Sequence, residues 1–130
     1  MKKYIFSLIA VLALGLFYGC DQSDQASTDE IKIGVILGFT GPIESLTPTM
    51  ASSAELAMKE VSDSGLLLGG AKVSSVRADS TCVDAGAATS AAERLVTSDN
   101  VAAIMGADCS GVTTAIANNV AVPNLSLIHI

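Results

Sequence analysis

The alternation of strand and helix signals from residue 31 to residue 119 predicts an α/β fold: a parallel sheet with helices on both faces. Three observations carry this. A β-branched run, Ile31 to Leu37, ends at Gly38 as a buried strand would. Segments with apolar residues at helical spacing stand between such runs. The composition is rich in alanine and glycine and lacks tryptophan, which suits helices packed closely on a sheet.

From Met50 to Ser62, Ala54, Ala57, Met58 and Val61 fall at i, i+3, i+4 and i+7, so a helix with one apolar stripe is expected. Gly65 and the Gly69-Gly70 pair stop it and turn the chain. Lys72 to Ala78 is a weaker strand. Asp84 is a good N-cap for a second helix carrying Ala88, Ala91, Ala92, Leu95 and Val96. Val101 to Met105 is a third strand and Gly111 to Asn119 a third helix.

Ahead of this unit the chain reads as an export signal. Met1-Lys2-Lys3 is positive, and Ile5 to Tyr18 is fourteen residues without a charge, short of the roughly 20 that cross a bilayer. The run closes on Gly19-Cys20, which resembles a bacterial lipoprotein signal, although Phe17 and Tyr18 are bulkier than that pattern expects. Residues 1–19 are therefore read as the signal peptide and Cys20 as a lipid attachment point. Residues 20–30 read as a flexible polar tether. The expected location is periplasmic or cell-surface, held to the membrane through Cys20.

That reading also balances the cysteines. With Cys20 lipidated, Cys82 and Cys109 remain as an even pair, free to form one disulfide in an oxidising compartment. Both fall in loops at the carboxyl ends of predicted strands, where two Cα atoms can come within bonding reach. Spacing alone does not decide whether they do.

Charge and motifs exclude several functions. The formal charge of −6 becomes −8 once Lys2 and Lys3 are removed, so no basic surface is available for nucleic acid. There is no phosphate-binding Gly-Lys-Ser/Thr loop, no dinucleotide fingerprint and no His pair or CxxC spacing, so neither a metal nor a cofactor is expected. Glu55, Glu60, Glu93 and Asp99 lie on the polar faces or ends of predicted helices, most of them simply solvated. The single histidine, His129, lies at the end of the chain and gives Ser110 no credible base, so no enzyme is expected.

In parallel sheets ligands bind beyond the carboxyl ends of the strands, near the switch in strand order. Those loops are Gly38 to Leu46, Asp79 to Asp84 and Ala107 to Gly111. Ser110 is expected to cap the third helix, whose first N–H groups can hold a carboxylate without a basic residue. Thr40-Gly41-Pro42 is a turn or a ligand contact.

The segments Ile31-Lys32-Ile33-Gly34-Val35, Gly38-Phe39-Thr40-Gly41-Pro42, Gly65-Leu66-Leu67-Leu68-Gly69-Gly70, Arg77-Ala78-Asp79-Ser80-Thr81-Cys82 and Gly106-Ala107-Asp108-Cys109-Ser110 together resemble the periplasmic branched-chain amino-acid receptors, the Leu/Ile/Val-binding solute receptors of ABC transporters. The resemblance spans residues 31–124. It implies the Rossmann-like N-terminal lobe of a type I periplasmic-binding fold, hinged to a second lobe and closing on a small amino-acid-like ligand for delivery to an inner-membrane permease. It implies a Cys82–Cys109 disulfide and a carboxylate-binding role for Ser110. It also implies a side-chain pocket contributed by the first loop near Leu46, with Thr40 and Gly41 alongside. Residues 125–130 depart from the family pattern and read as a foreign tail, the second lobe not following. The alternative on the same fold is the ligand-binding domain of a sensor; a nucleotide-binding enzyme or a structural lipoprotein has less support.

Overall fold

The structure, a computed structural model, describes residues 30–124. Cys20, the predicted signal and tether up to residue 29, and the 125–130 segment with His129 lie outside the described residues. Strand β1 is Glu30–Leu37, β2 is Lys72–Asp79 and β3 is Ala103–Gly106. They form one parallel sheet in the order β2-β1-β3, with Leu37 opposite Asp79 and Ile36 opposite Gly106. The switch in strand order therefore falls between β1 and β3, because the chain passes to one side of β1 and then to the other.

Side chains alternate along β1 and give the sheet two different faces. Ile36 points to the face covered by α2 (Ala85–Thr97) and α3 (Ser110–Ile116), where it packs with Ala88, Ala92, Leu95, Ile104, Val112 and Ile116. Alanines let α2 approach closely, and Gly34 leaves the space that Leu95 fills: a β-carbon there would stand 2.8 Å from Leu95 Cδ1. Val35 and Leu37 point the other way, toward α1 (Thr47–Ser64), joined by Ala51 and by the partly buried Phe39, Met58 and Met105.

Helix α1 begins earlier and ends later than the apolar spacing alone suggests. Pro48 sits in its first turn, where its missing N–H costs nothing, and Gly65 ends it in the left-handed region at φ 66°. The predicted stripe is only half used. Thr47, Ala51 and Ser62 are the buried positions of the helix, whereas Ala57 and Val61 are exposed. Ala54, Ala57, Met58 and Val61 instead line an open apolar groove of about 270 Å³ with Val73 and Met105. Among the described residues β3 is the edge of the sheet, so no further strand covers the stripe beyond Met105. Ser62 is buried by bonding: its hydroxyl donates to the Met58 and Val73 carbonyls and accepts from the Val73 N–H, tying α1 to β2.

The third strand is shorter than predicted, starting at Ala103. Val101 is buried but its N–H turns back to the Leu95 carbonyl, which closes the α2–β3 connection. The third helix runs on past Ile116 through a π-helical turn, Ala117–Ala121, into a short α4, Val122–Asn124. No helix among the described residues is long and apolar enough to cross a membrane.

Candidate functional site

The three loops at the carboxyl edge of the sheet are bound to one another by named contacts. Cys82, after β2, and Cys109, after β3, form a disulfide with Cα atoms 5.3 Å apart. Gly38, after β1, fits directly against this bridge; a β-carbon on it would stand 3.2 Å from Cys82 Cβ. Its N–H donates to Asp108 Oδ2 at 2.9 Å, and the Ser80 hydroxyl donates to the other oxygen at 3.4 Å. One carboxylate thus joins all three loops. The buried Thr47 hydroxyl donates to the Gly38 carbonyl, fixing the start of α1 to the same point.

Asp79 is a second strap. It accepts from the Thr40 hydroxyl at 2.6 Å, the Thr40 N–H at 3.3 Å and the Thr81 N–H at 2.8 Å. Partial burial pushes the Asp79 carboxyl up. The hydrogen bonds from the Thr40 side chain and the Thr81, Thr40 and Phe39 backbone outweigh it and hold the group below its ordinary range. Thr40 therefore spends its hydroxyl proton on the loop, leaving oxygen lone pairs and no donor for a ligand. Gly41 takes φ 97°, and a β-carbon there would meet the Thr81 carbonyl oxygen at 2.5 Å, so the first loop lies against the second. Gly106 is tighter still: φ is 126° and the β-carbon position is 2.0 Å from the Ile36 carbonyl oxygen. These glycines let the strand ends and loops meet with no side chain between them.

Ser110 is not the cap that its position suggests. Cys109 occupies the N-cap with extended φ and ψ, Ser110 is the first residue of α3, and no side chain caps that end. Ser110 is exposed, and its carbonyl accepts from the Thr114 hydroxyl. Cys109, one end of the disulfide, is the last extended residue, and the helix starts one residue earlier than expected. The amino end of α1 is likewise without a side-chain cap, with Leu46 at the N-cap and 60% exposed. Helix α2 differs. The Asp84 carboxylate accepts from the Gly86 and Ala87 N–H groups, as predicted for a capping aspartate. The two open helix ends are those that follow β1 and β3, the strands flanking the switch point; the capped one follows the outer strand β2.

The structure thus brings Gly38, Cys82, Asp108 and Cys109 together, and places Thr40 and Gly41 against the Asp79–Thr81 segment. The parts played by Asp79 and Asp108 were missed from the sequence. Asp79 had a visible signal, an aspartate two residues before a threonine at a strand end, the pattern of an Asx turn. Asp108 had none, because its partners are 70 and 28 residues away. Two of the carboxylates expected to be simply solvated are paired instead. Glu55 accepts from Arg77 Nε at 2.7 Å, with the Arg77 guanidinium 5.5 Å from the Phe39 ring centre, and Asp99 pairs with Arg94. The Arg77 bond holds Glu55 below its ordinary value against partial burial, helped by Ser75. Among the described residues no group of three or more His, Cys, Asp or Glu side chains could hold a metal.

A parallel α/β sheet with its carboxyl-edge loops strapped together, and two open helix ends at its switch point, defines a Rossmann-like α/β class, in which ligands bind beyond that edge of the sheet. A profile of the periplasmic binding protein family matches residues 30–128, and the chain belongs to that family. It is 35% identical over 112 residues to Leu/Ile/Val-binding protein homolog 7 of Brucella abortus, covering 85% of this chain and 25% of that protein. The chain therefore spans about a quarter of the length of the curated relatives it matches. Among solved structures, it resembles the branched-chain amino acid transporter substrate binding protein LivJ of Streptococcus pneumoniae in complex with isoleucine. That match has a TM-score of 0.67 and 27% identity, over 76% of this chain and 28% of the other. It also resembles a solute binding protein of an ABC transporter from R. palustris in complex with benzoate, with a TM-score of 0.57 and 26% identity over 68% and 24% of the two chains.

Proposed function

We propose that this chain is one ligand-binding lobe of an exported ABC-transporter receptor for branched-chain or related amino acids, attached to the membrane by lipid at Cys20. It passes ligand to a membrane permease and catalyses no reaction. The observation that carries this reading is the difference in capping. The helices flanking the switch point leave their first N–H groups without a side-chain partner, whereas the neighbouring helix is capped by its own aspartate. Unpaired N–H groups at the positive end of a helix favour a carboxylate.

The relatives' ligands fit the same chemistry. Isoleucine and benzoate differ in side chain, ring and amino group, and share a carboxylate. In this reading the Ser110 hydroxyl and the first N–H groups of α3 hold that carboxylate. Leu46 and the 38–46 loop face the ligand's apolar part, with Thr40 and Gly41 fixing the loop's shape. The carboxyl-edge straps preset the wall, so a second lobe need only close on it.

Calorimetry on the chain joined to the second lobe of the Streptococcus pneumoniae relative tests the proposal. Leucine, isoleucine or valine should bind saturably, and the corresponding amino-acid amides, which lack the carboxylate, should bind far more weakly. Equal binding of acid and amide would refute the carboxylate reading.

A further inference from the structure

At the opposite edge of the sheet, the turn between α1 and β2 exposes two large apolar side chains. Leu66 is 87% exposed and Leu68 is 79% exposed. The turn is well defined. The Leu66 N–H donates to the Ser64 hydroxyl, and the N–H groups of Gly70 and Ala71 both donate to the Leu67 carbonyl at 2.8 Å. Leu68 sits at φ 42°, a region that leucine rarely adopts, so the turn holds this side chain outward at a conformational cost. Leu67, between them, is half-buried.

The chain enters the fold beside this turn. The sheet is parallel, so all strands start at one edge, and Glu30, the first residue of β1, stands opposite Lys72, the first of β2. Nine residues separate Cys20 from Glu30. The carboxyl edge lies a full strand further away, about 26 Å for eight residues. A bilayer holding Cys20 therefore meets the amino edge first.

Charge at this edge is mixed. Asp63 is paired with Lys59 and the Lys72 ammonium donates to the Ser62 carbonyl, while Glu30 and Glu60 add two exposed carboxylates. A net charge of −8 after residue 19 gives no general attraction to anionic lipid, so the contact has to be apolar.

We propose that the 65–70 turn is a membrane contact: Leu66 and Leu68 insert into the bilayer interface next to the Cys20 anchor and hold the ligand edge facing away from the lipid. This rests on the lipid-anchor reading, which acyl mass spectrometry at Cys20 tests separately. A few apolar side chains added to a single attachment convert a loose tether into an oriented one.

The sequence contains no tryptophan, so one introduced indole is an unambiguous probe. Leu66→Trp and, as a control on the carboxyl edge, Val83→Trp both alter exposed positions and should leave folding intact. Each variant is attached through Cys20 to phosphatidylethanolamine and phosphatidylglycerol vesicles, by its own lipid or by a maleimide lipid. Cys82 and Cys109 are already paired, so coupling is specific and the geometry is tested whether or not the cell acylates Cys20. The expected result is blue-shifted emission and quenching by brominated lipid for Leu66→Trp, with Val83→Trp remaining water-like. Water-like emission from the Leu66→Trp variant on vesicles, or equal quenching of both variants, overturns the proposal. So does a blue shift that depends on protein concentration without vesicles, which would assign the turn to a second copy.

Discussion

The two edges of the sheet are built on opposite principles. At the carboxyl edge, a disulfide, two carboxylates and three glycine contacts bind three loops from different parts of the chain. At the amino edge, the 65–70 turn is held by its own backbone and one local serine, and its side chains face solvent. Long-range straps cost chain entropy and fix the relative positions of the loops they join. Local bonds are enough to hold a pair of leucines outward.

The disulfide offers the largest test of this contrast. Reducing it, or replacing both Cys82 and Cys109 by serine, should lower stability by about 3–4 kcal/mol, the chain-entropy estimate for a separation of 27 residues. Thermal unfolding with and without reductant measures it, and hydrogen exchange should speed up at residues 38–41 and 107–111 before it does at 65–71. Uniform loosening of both edges would break the comparison. Next comes Asp108→Ala, which strands the Gly38 N–H and the Ser80 hydroxyl. Urea unfolding should show a loss of about 1–3 kcal/mol.

Thr40→Val is smaller, about 1 kcal/mol, because the Thr40–Asp79 bond is exposed. It carries a pH signature. The Asp79 carboxyl is depressed in the folded protein, so its contribution is fully present above the ordinary carboxylate range near pH 4 and fades as pH falls through the lower folded value. The difference between wild type and Thr40→Val should therefore shrink on acidification, read from unfolding midpoints at pH 7 and pH 3. Smallest is Leu66→Ser. It should change stability by no more than about 0.5 kcal/mol in the same assay, since the side chain touches little in the fold.

The sequence made the architecture legible because its signals are local. The β-branched run before Gly38, the alanine spacing of α2 and the capping Asp84 each act within a few residues, and each appears where expected. What it hid depends on residues far apart. The Leu95 side chain over Gly34, the Asp108 strap and the pairing of Glu55 with Arg77 need the sheet assembled before they exist. Ser110 shows the limit most clearly. Its neighbourhood followed from motif and loop position, but it is the first residue of α3 rather than its cap, and the extended residue before it is tied to a cysteine 27 residues earlier. The apolar stripe of α1 misled for a related reason: helical spacing identifies an apolar face, while the number of strands beneath it decides how much is covered.

Isothermal titration of leucine into the two-lobed protein, with and without Ser110→Ala, asks whether the open amino end of α3 receives a ligand carboxylate with help from Ser110. Loss of a hydrogen bond to a charged group should weaken binding by roughly 10- to 100-fold, about 1.5–3 kcal/mol, with the unfolding midpoint unchanged. An unchanged leucine affinity in the variant would mean that Ser110 does not hold the carboxylate.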